Sequence, residues 1–208
     1  DPRADRLYGD FYQLDLEMSF VEDGDEVRRM MEPLIIDLAT KFGDKKLLTN
    51  DIPRITYQES MDTYGTDKPD LRFGRKLVDL SEDLVGCGFG VFANVISGGG
   101  VVKAICVPKQ FSRSQIDSFT EIAKQQGAGG LPYLTIEDGK ATSSIAKFFG
   151  EDHLNTIVKK TGAKDGDTIF FGSDAKSKVN KVLGELRNHF GTLLELKDDS
   201  IVALAWIV

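Results

Sequence analysis

The stretch DGDTIFFGSDAKSKVNKVLGELRNHFG, residues 165–191, decides the fold. Asp165-Gly166-Asp167 reads as a turn, because an Asp-Gly step ahead of a strand suits turn geometry. Residues 168–172 then read as a strand and 176–190 as a helix. Val179, Val182, Leu183, Leu186 and Phe190 recur at helical spacing on one face. Gly191 stands where such a helix would stop.

Working outward, the same alternation of short strands and short helices continues. Upstream, 87–95 and 101–107 flank SGGG (97–100), a hairpin signal. Ser112 with Gln115 forms a capping box for a helix carrying Ile116, Phe119 and Ile122 and ending at Gly127. Residues 131–137 form a strand closed by Asp138-Gly139, with short helices near 143–149 and 152–160. Downstream, 193–196 and 201–208 read as strands. From residue 86 the order is therefore β-β-α-β-α-α-β-α-β. Short connections between such elements imply an α+β domain, a mostly antiparallel sheet with helices on one face. This domain is expected over 77–204, with 205–208 returning as a strand to a first part, 1–76.

That first part has a different texture. In FYQLDLEMSF (11–20), Leu14, Leu16, Met18 and Phe20 alternate with Gln13, Asp15, Glu17 and Ser19, the period of a strand with one buried face. Two carboxylates on its polar face are an unusual lining. A helix follows, capped by Asp23, with Val27, Met30, Met31, Leu34, Ile35, Leu38 and Phe42 in register and Pro33 expected to kink or interrupt it. Residues 52–57 read as a short strand and 59–64 as a short helix stopped by Gly65. YGTDKPDLRFG (64–74) is dense in turn formers and charges.

Composition narrows the function classes. With 26 basic against 33 acidic residues the net charge is −7, so the chain has no general attraction for nucleic acid, and any RNA contact must be local. No apolar run is long enough to span a bilayer. Cys87 and Cys106 sit in apolar surroundings and read as buried, reduced thiols, which favours a cytoplasmic setting. SGGG lacks the Gly-Lys-Ser/Thr continuation of a phosphate loop. Lys147 in AKFF (146–149) reads as a solvated lysine.

Several strings in one order carry a resemblance. DPRADRLYGDFYQLDLEMSF (1–20) resembles the second half of motif 2 of class II aminoacyl-tRNA synthetases of the aspartate branch, and YGTDKPDLRF (64–73) resembles the next signature of that family. KAI (103–105), SRSQID (112–117), AKFF (146–149), DGDTIFFG (165–172) and LGELR (183–187) are similar to its insertion, the GAD module shared with a tRNA-dependent amidotransferase subunit. The chain thus resembles an internal fragment of a bacterial-type aspartyl-tRNA synthetase, with 1–76 a piece of the class II catalytic sheet.

The resemblance implies roles by position. Phe11, with Asp10, would lie against the adenine of ATP; Asp15 would face the ammonium of aspartate, with Gln13 beside it; Arg3 and Arg6 would contact the tRNA acceptor end. Glu17 would support them. It implies ATP and Mg²⁺ for the parent enzyme, tRNA and aspartate as its other partners, and a homodimeric parent. The fragment itself is expected to be an inactive monomer without bound cofactor. No catalytic side chain and no metal ligand is assigned. LYGDF (7–11) is one residue longer than the Gln-Pro-Glu-Phe run common in the family, and nothing stands clearly for its ATP-contacting Gln. Two rivals stay open, a free-standing GAD-type interaction module and the amidotransferase subunit.

Overall fold

The computed structural model describes residues 12–208. The chain divides into two compact units, one ending at Asp44 and the other running Lys45–Val208.

In the first unit, α1 (Gly24–Phe42) starts at Asp23, whose side chain accepts from the Asp25 and Glu26 N–H groups. This satisfies two donors that the first turn leaves without an intrahelical partner. The helix runs through Pro33 rather than stopping there, and none of its residues is buried.

The second unit is built on a five-stranded sheet: β3 (Val78–Asp79), β4 (Val101–Val107), β5 (Tyr133–Glu137), β6 (Lys140–Thr142) and β7 (Thr168–Asp174). Its order is β3-β4-β7-β5-β6, and every neighbouring pair is antiparallel. Asp138 (φ 52°) and Gly139 (φ 72°) make the two-residue turn between β5 and β6, the left-handed pair that matches the twist of a hairpin. The α+β class and the antiparallel sheet are as expected.

Helices, however, cover both faces of that sheet. On one side Val102, Ala104, Cys106, Ile169 and Phe171 pack with Phe92 of α3 (Gly90–Ser97) and Ile157 of α5 (Glu151–Thr161). On the other, Ile105, Val107 and Phe170 pack with Ile116 and Phe119 of α4 (Arg113–Gln125) and with Val179, Val182, Leu183 and Leu186 of α6 (Lys176–Leu193). The reason lies in β4 and β7 themselves. Both are central and apolar on successive residues, so a one-sided cover would leave half of each strand in water.

Three local readings change. Residues 90–97 form a helix, so SGGG joins a helix to a strand and makes no hairpin. The run holds both periods, and Phe89, Phe92 and Ile96 at helical spacing pack onto the sheet. Phe92 is fully buried, 5.5 Å from the Phe171 ring and 6.0 Å from that of Phe149. Gly191 lies inside α6, which extends to Leu193 in place of a strand over 193–196. The expected strand over 201–208 resolves into β8 (Ile201–Val202) and β9 (Trp206–Ile207), paired in parallel with β1 (Lys46–Leu47) and β2 (Arg54–Ile55). Capping at Ser112 is as read, with Ser112 and Gln115 in a reciprocal box. Cys87 and Cys106 are buried free thiols.

Candidate functional site

Of the residues assigned to substrate, Arg3, Arg6, Asp10 and Phe11 lie outside the described residues. Gln13 and Asp15 are exposed and lie in a segment without strand pairing. The apolar alternates are exposed as well: Leu14 at 70% and Phe20 at 104%. The expected strand over 11–20 is therefore not formed within 12–20. The alternation is present, but no described residue offers it a ladder, and a lone strand leaves its N–H and C=O groups to water. The segment brings Gln13, Asp15 and Glu17 to alternate positions and nothing else to them.

The second unit, by contrast, gathers several of the quoted strings at one place. After β2, Thr56 caps α2 (Tyr57–Tyr64) by accepting from the Glu59 N–H at 3.1 Å. Gly65 then ends the helix in the left-handed region at φ 76°, its N–H bonded to the Met61 carbonyl. Here α2 meets α6 backbone to backbone. A Cβ on Gly65 would come within 2.7 Å of Gly184 Cα, and one on Gly184 within 2.7 Å of the Gly65 carbonyl oxygen. Only glycine at both positions permits the approach.

One helical turn beyond Gly184, Arg187 enters the loop that follows α2. It is fully buried. Its Nε donates to the Arg75 carbonyl at 2.8 Å, and its Nη2 to the carbonyls of Asp70, Phe73 and Gly74 at 2.9, 3.0 and 3.0 Å. The guanidinium lies 4.2 Å from the Phe73 ring centre and 4.9 Å from that of Tyr64. Burial lowers its pKa from the ordinary arginine value, opposed by Tyr64 and Asp70. The fork geometry suits four carbonyls converging from one turn, whereas a point charge would not span them. Phe73 in turn crosses Gly191, where a Cβ would lie 2.6 Å from the ring.

The third contact is ionic. Lys103, in the middle of β4, is 1% exposed and donates to both the Asp62 carbonyl (3.1 Å) and Asp62 Oδ1 (2.9 Å). Asp62 Oδ2 accepts from Lys176 and Gln58 at 2.8 Å each. Desolvation raises the pKa of Asp62, but hydrogen bonds from Lys176, Gln58 and Lys103 outweigh it and hold the carboxyl well below the usual range. At the outer side of the loop Arg72 makes a fork to Asp70 (3.0 and 2.7 Å) and reaches Asp199 at 2.6 Å. Arg72 is the main cause of the lowered Asp70 pKa.

Asp62, Lys103, Gly184 and Arg187 were not singled out from the sequence. Lys103 stands in KAI, and Gly184 and Arg187 in LGELR, but a charge inside a strand or helix reads as solvated until a partner is visible. The joint's charged side chains are engaged with one another and with backbone carbonyls. Its chemistry is mechanical, fixing α2 and the 65–76 loop to β4 and α6. Elsewhere, Asp165 and Asp167 behave as turn residues. Asp165 accepts from the Gly139 N–H at 3.1 Å and Asp167 from the Lys164 N–H at 2.9 Å. Burial, then the Asp167 carboxylate, pushes the Cys106 thiol up to about 12. Among the described residues no group of three His, Cys, Asp or Glu side chains is placed to hold a metal ion. None of their helices is long and apolar enough to cross a membrane.

The GAD domain family model matches residues 92–183, the span that holds β4, β5, β6 and β7 of the two-faced sheet. Over its whole length the chain is a relative of the aspartate–tRNA ligases. It is 44% identical over 208 residues to the aspartate–tRNA(Asp/Asn) ligase of Hydrogenobaculum sp. (strain Y04AAS1). It is 42% identical over 209 residues to that of Aquifex aeolicus (strain VF5), and 42% over 215 to that of Pelagibacter ubique (strain HTCC1062). Each alignment covers 100% of this chain but only 34%, 34% and 36% of the respective ligase, so the chain spans about a third of the length of these curated relatives.

Proposed function

We propose that this chain is part of an aspartate–tRNA ligase, an enzyme that activates aspartate with ATP and transfers it to tRNA. The observation that carries the reading is an overall identity of 42–44% in alignments that span the whole chain, so that the polar-faced segment and the GAD domain are covered alike. Neither rival, a free-standing GAD module or an amidotransferase subunit, accounts for the segment before residue 77.

In this reading Asp15 pairs with the substrate ammonium and Gln13 donates or accepts beside it. Phe11 stacks on the adenine with Asp10 near it, and Arg3 and Arg6 grip the acceptor end. Gln13 and Asp15 are exposed, which leaves both side chains accessible to a ligand. ATP with Mg²⁺ would supply an electrophilic α-phosphorus and neutralise charge there. No described residue of this chain is assigned to the metal. The chain's own part is to hold the aspartate ammonium so that its carboxylate is presented for attack. A cytoplasmic, homodimeric enzyme goes with this reading, as does a monomeric and inactive isolated chain.

The test is aspartate-dependent ATP–pyrophosphate exchange by the full-length protein. Exchange with aspartate, and none with asparagine or glutamate, is expected. A full-length protein that binds tRNA but shows no exchange would support the interaction-module rival.

A further inference from the structure

A cleft of about 360 Å³ opens where β5 leaves the sheet, lined among others by Val91, Gly129, Gly130, Ser173, Lys178 and Val179. What its walls offer follows from the ladder. The Val102 carbonyl accepts from the Leu80 N–H and the Val102 N–H donates to Ser81 Oγ, both at 2.9 Å, so Val102 turns its polar groups toward β3. Ser173 is the partner of Val102 across β4–β7. In an antiparallel ladder such a pair exchanges no hydrogen bonds, and Ser173 must turn its N–H and C=O to the opposite side. The neighbouring same-side residue agrees, since the Phe171 N–H donates to the Pro132 carbonyl at 2.9 Å. Two residues on, β5 has ended; its pairing with β7 stops at Tyr133–Phe170. Ser173 thus presents one donor and one acceptor into the cleft, at the spacing of a missing strand residue.

The rest of the lining fits an extended chain in that lane. Val91 and Ile145 lie toward the α3 side and Val179 and Val182 toward the α6 side, so alternate side chains of a strand would meet apolar surface above and below. Gly129 and Gly130 form the far wall. Neither has a positive φ, and a Cβ on either meets no atom within 4 Å, so nothing in the protein itself requires glycine there. Bare peptide at both positions instead leaves the lane open to a backbone. At the mouth Asp174 and Lys178 neutralise each other at 2.8 Å, which offers no unpaired charge to a chain terminus.

We infer that this cleft binds an internal, uncharged, extended segment of a partner protein, which adds to β7 beside Ser173 by backbone pairing and places small apolar side chains on the valines. This is strand addition at an interior gap of the sheet. The cleft volume suits one to three residues, within the ordinary range of ligand sites.

The test is titration of the ¹⁵N-labelled 208-residue chain with three blocked probes. They are N-acetyl-valine-N-methylamide, the ester in which oxygen replaces the valine N–H, and N-acetyl-Thr-Val-Thr-amide. Expected are amide shifts at Ser173, Gly129, Gly130 and Val179, binding of the ester weakened about fivefold or more by loss of one donor, and the tripeptide binding at least as well as the single residue. Gly130→Val should weaken both peptides while leaving the spectrum of β4 and α4 unchanged. Shifts elsewhere, equal binding of the ester, or unaltered binding by a folded Gly130→Val chain would overturn the proposal. Binding of the single residue with exclusion of the tripeptide would overturn it in favour of a small-molecule site.

Discussion

The ammonium of Lys103 lies 2.9 Å from Asp62 Oδ1 with its own side chain almost wholly out of water. A lysine in the central strand of a sheet is tolerated only because α2 delivers that carboxylate to it. The pair is asymmetric, because Asp62 keeps Lys176 and Gln58 as partners while Lys103 has, among the described residues, only Asp62. Asp62→Asn should therefore destabilise the chain by about 3 kcal/mol, since it leaves a buried charge uncompensated. Lys103→Met should cost less than about 1 kcal/mol, or stabilise. Urea unfolding of both variants measures this, and equal losses would contradict the asymmetry.

The same pair sets a pH response. The folded-state pKa of Asp62 is depressed, as is that of Asp70, so the unfolded chain binds more protons than the folded one near the ordinary carboxylate pKa. Their contribution is present above about pH 4 and is lost as pH falls through the folded values. Melting temperature should drop on acidification below about pH 4, and the drop should be shallower in Asp62→Asn. An identical slope in the variant would remove Asp62 as a cause.

Arg187 should not be replaceable by lysine. Arg187→Lys keeps the charge but loses the fork that holds four loop carbonyls, and the expected destabilisation is about 3–5 kcal/mol. Gly184→Ala should act at the same joint, because its Cβ would lie 2.7 Å from the Gly65 oxygen with backbone on both sides. Hydrogen exchange reads the local effect. In the unaltered chain the amides of α2 should be protected nearly as well as those of α6, and α1, which buries no residue, much less. In either variant protection should fall first in α2 and the 65–76 loop.

Asp15→Asn tests the proposed substrate contact in the full-length protein. It removes the charge that faces the ammonium, so kcat/KM for aspartate activation should fall by about two to three and a half orders of magnitude. Melting temperature should be unchanged or slightly raised, because a substrate-binding carboxylate has no substrate to pair with in the free protein. Near-normal activation would remove Asp15 from the site, and a collapsed melting temperature would point to a structural role.

The isolated 208-residue chain should show no aspartate-dependent pyrophosphate exchange above background. Its assigned substrate residues are few and, where described, exposed, so electrostatic stabilisation of the reaction would be weak. Measurable exchange by the purified chain would refute this.

Local patterns alone determined a good deal of this protein. The Ser112–Gln115 box, the Asp23 cap, the stop at Gly65, the 138–139 turn and the stripe from Val179 to Phe190 each depend on neighbours within a few residues, and each stands in the structure. The α+β class follows from their order. What the tertiary structure decided is whatever depends on a partner distant in the chain. The run at 90–97 carried both a strand and a helix period, and packing of Phe92 between Phe149 and Phe171 chose the helix. Gly191 looked like a stop but sits inside the last turn of α6, because the Phe73 ring, not the backbone, requires its missing side chain. The alternation at 12–20 is real yet forms no strand, since a ladder needs a second chain segment beside it. Lys103 and Arg187 look like surface charges in one dimension. Only the fold, by bringing Asp62 and the carbonyls of residues 70–75 to them, makes burial of those charges affordable.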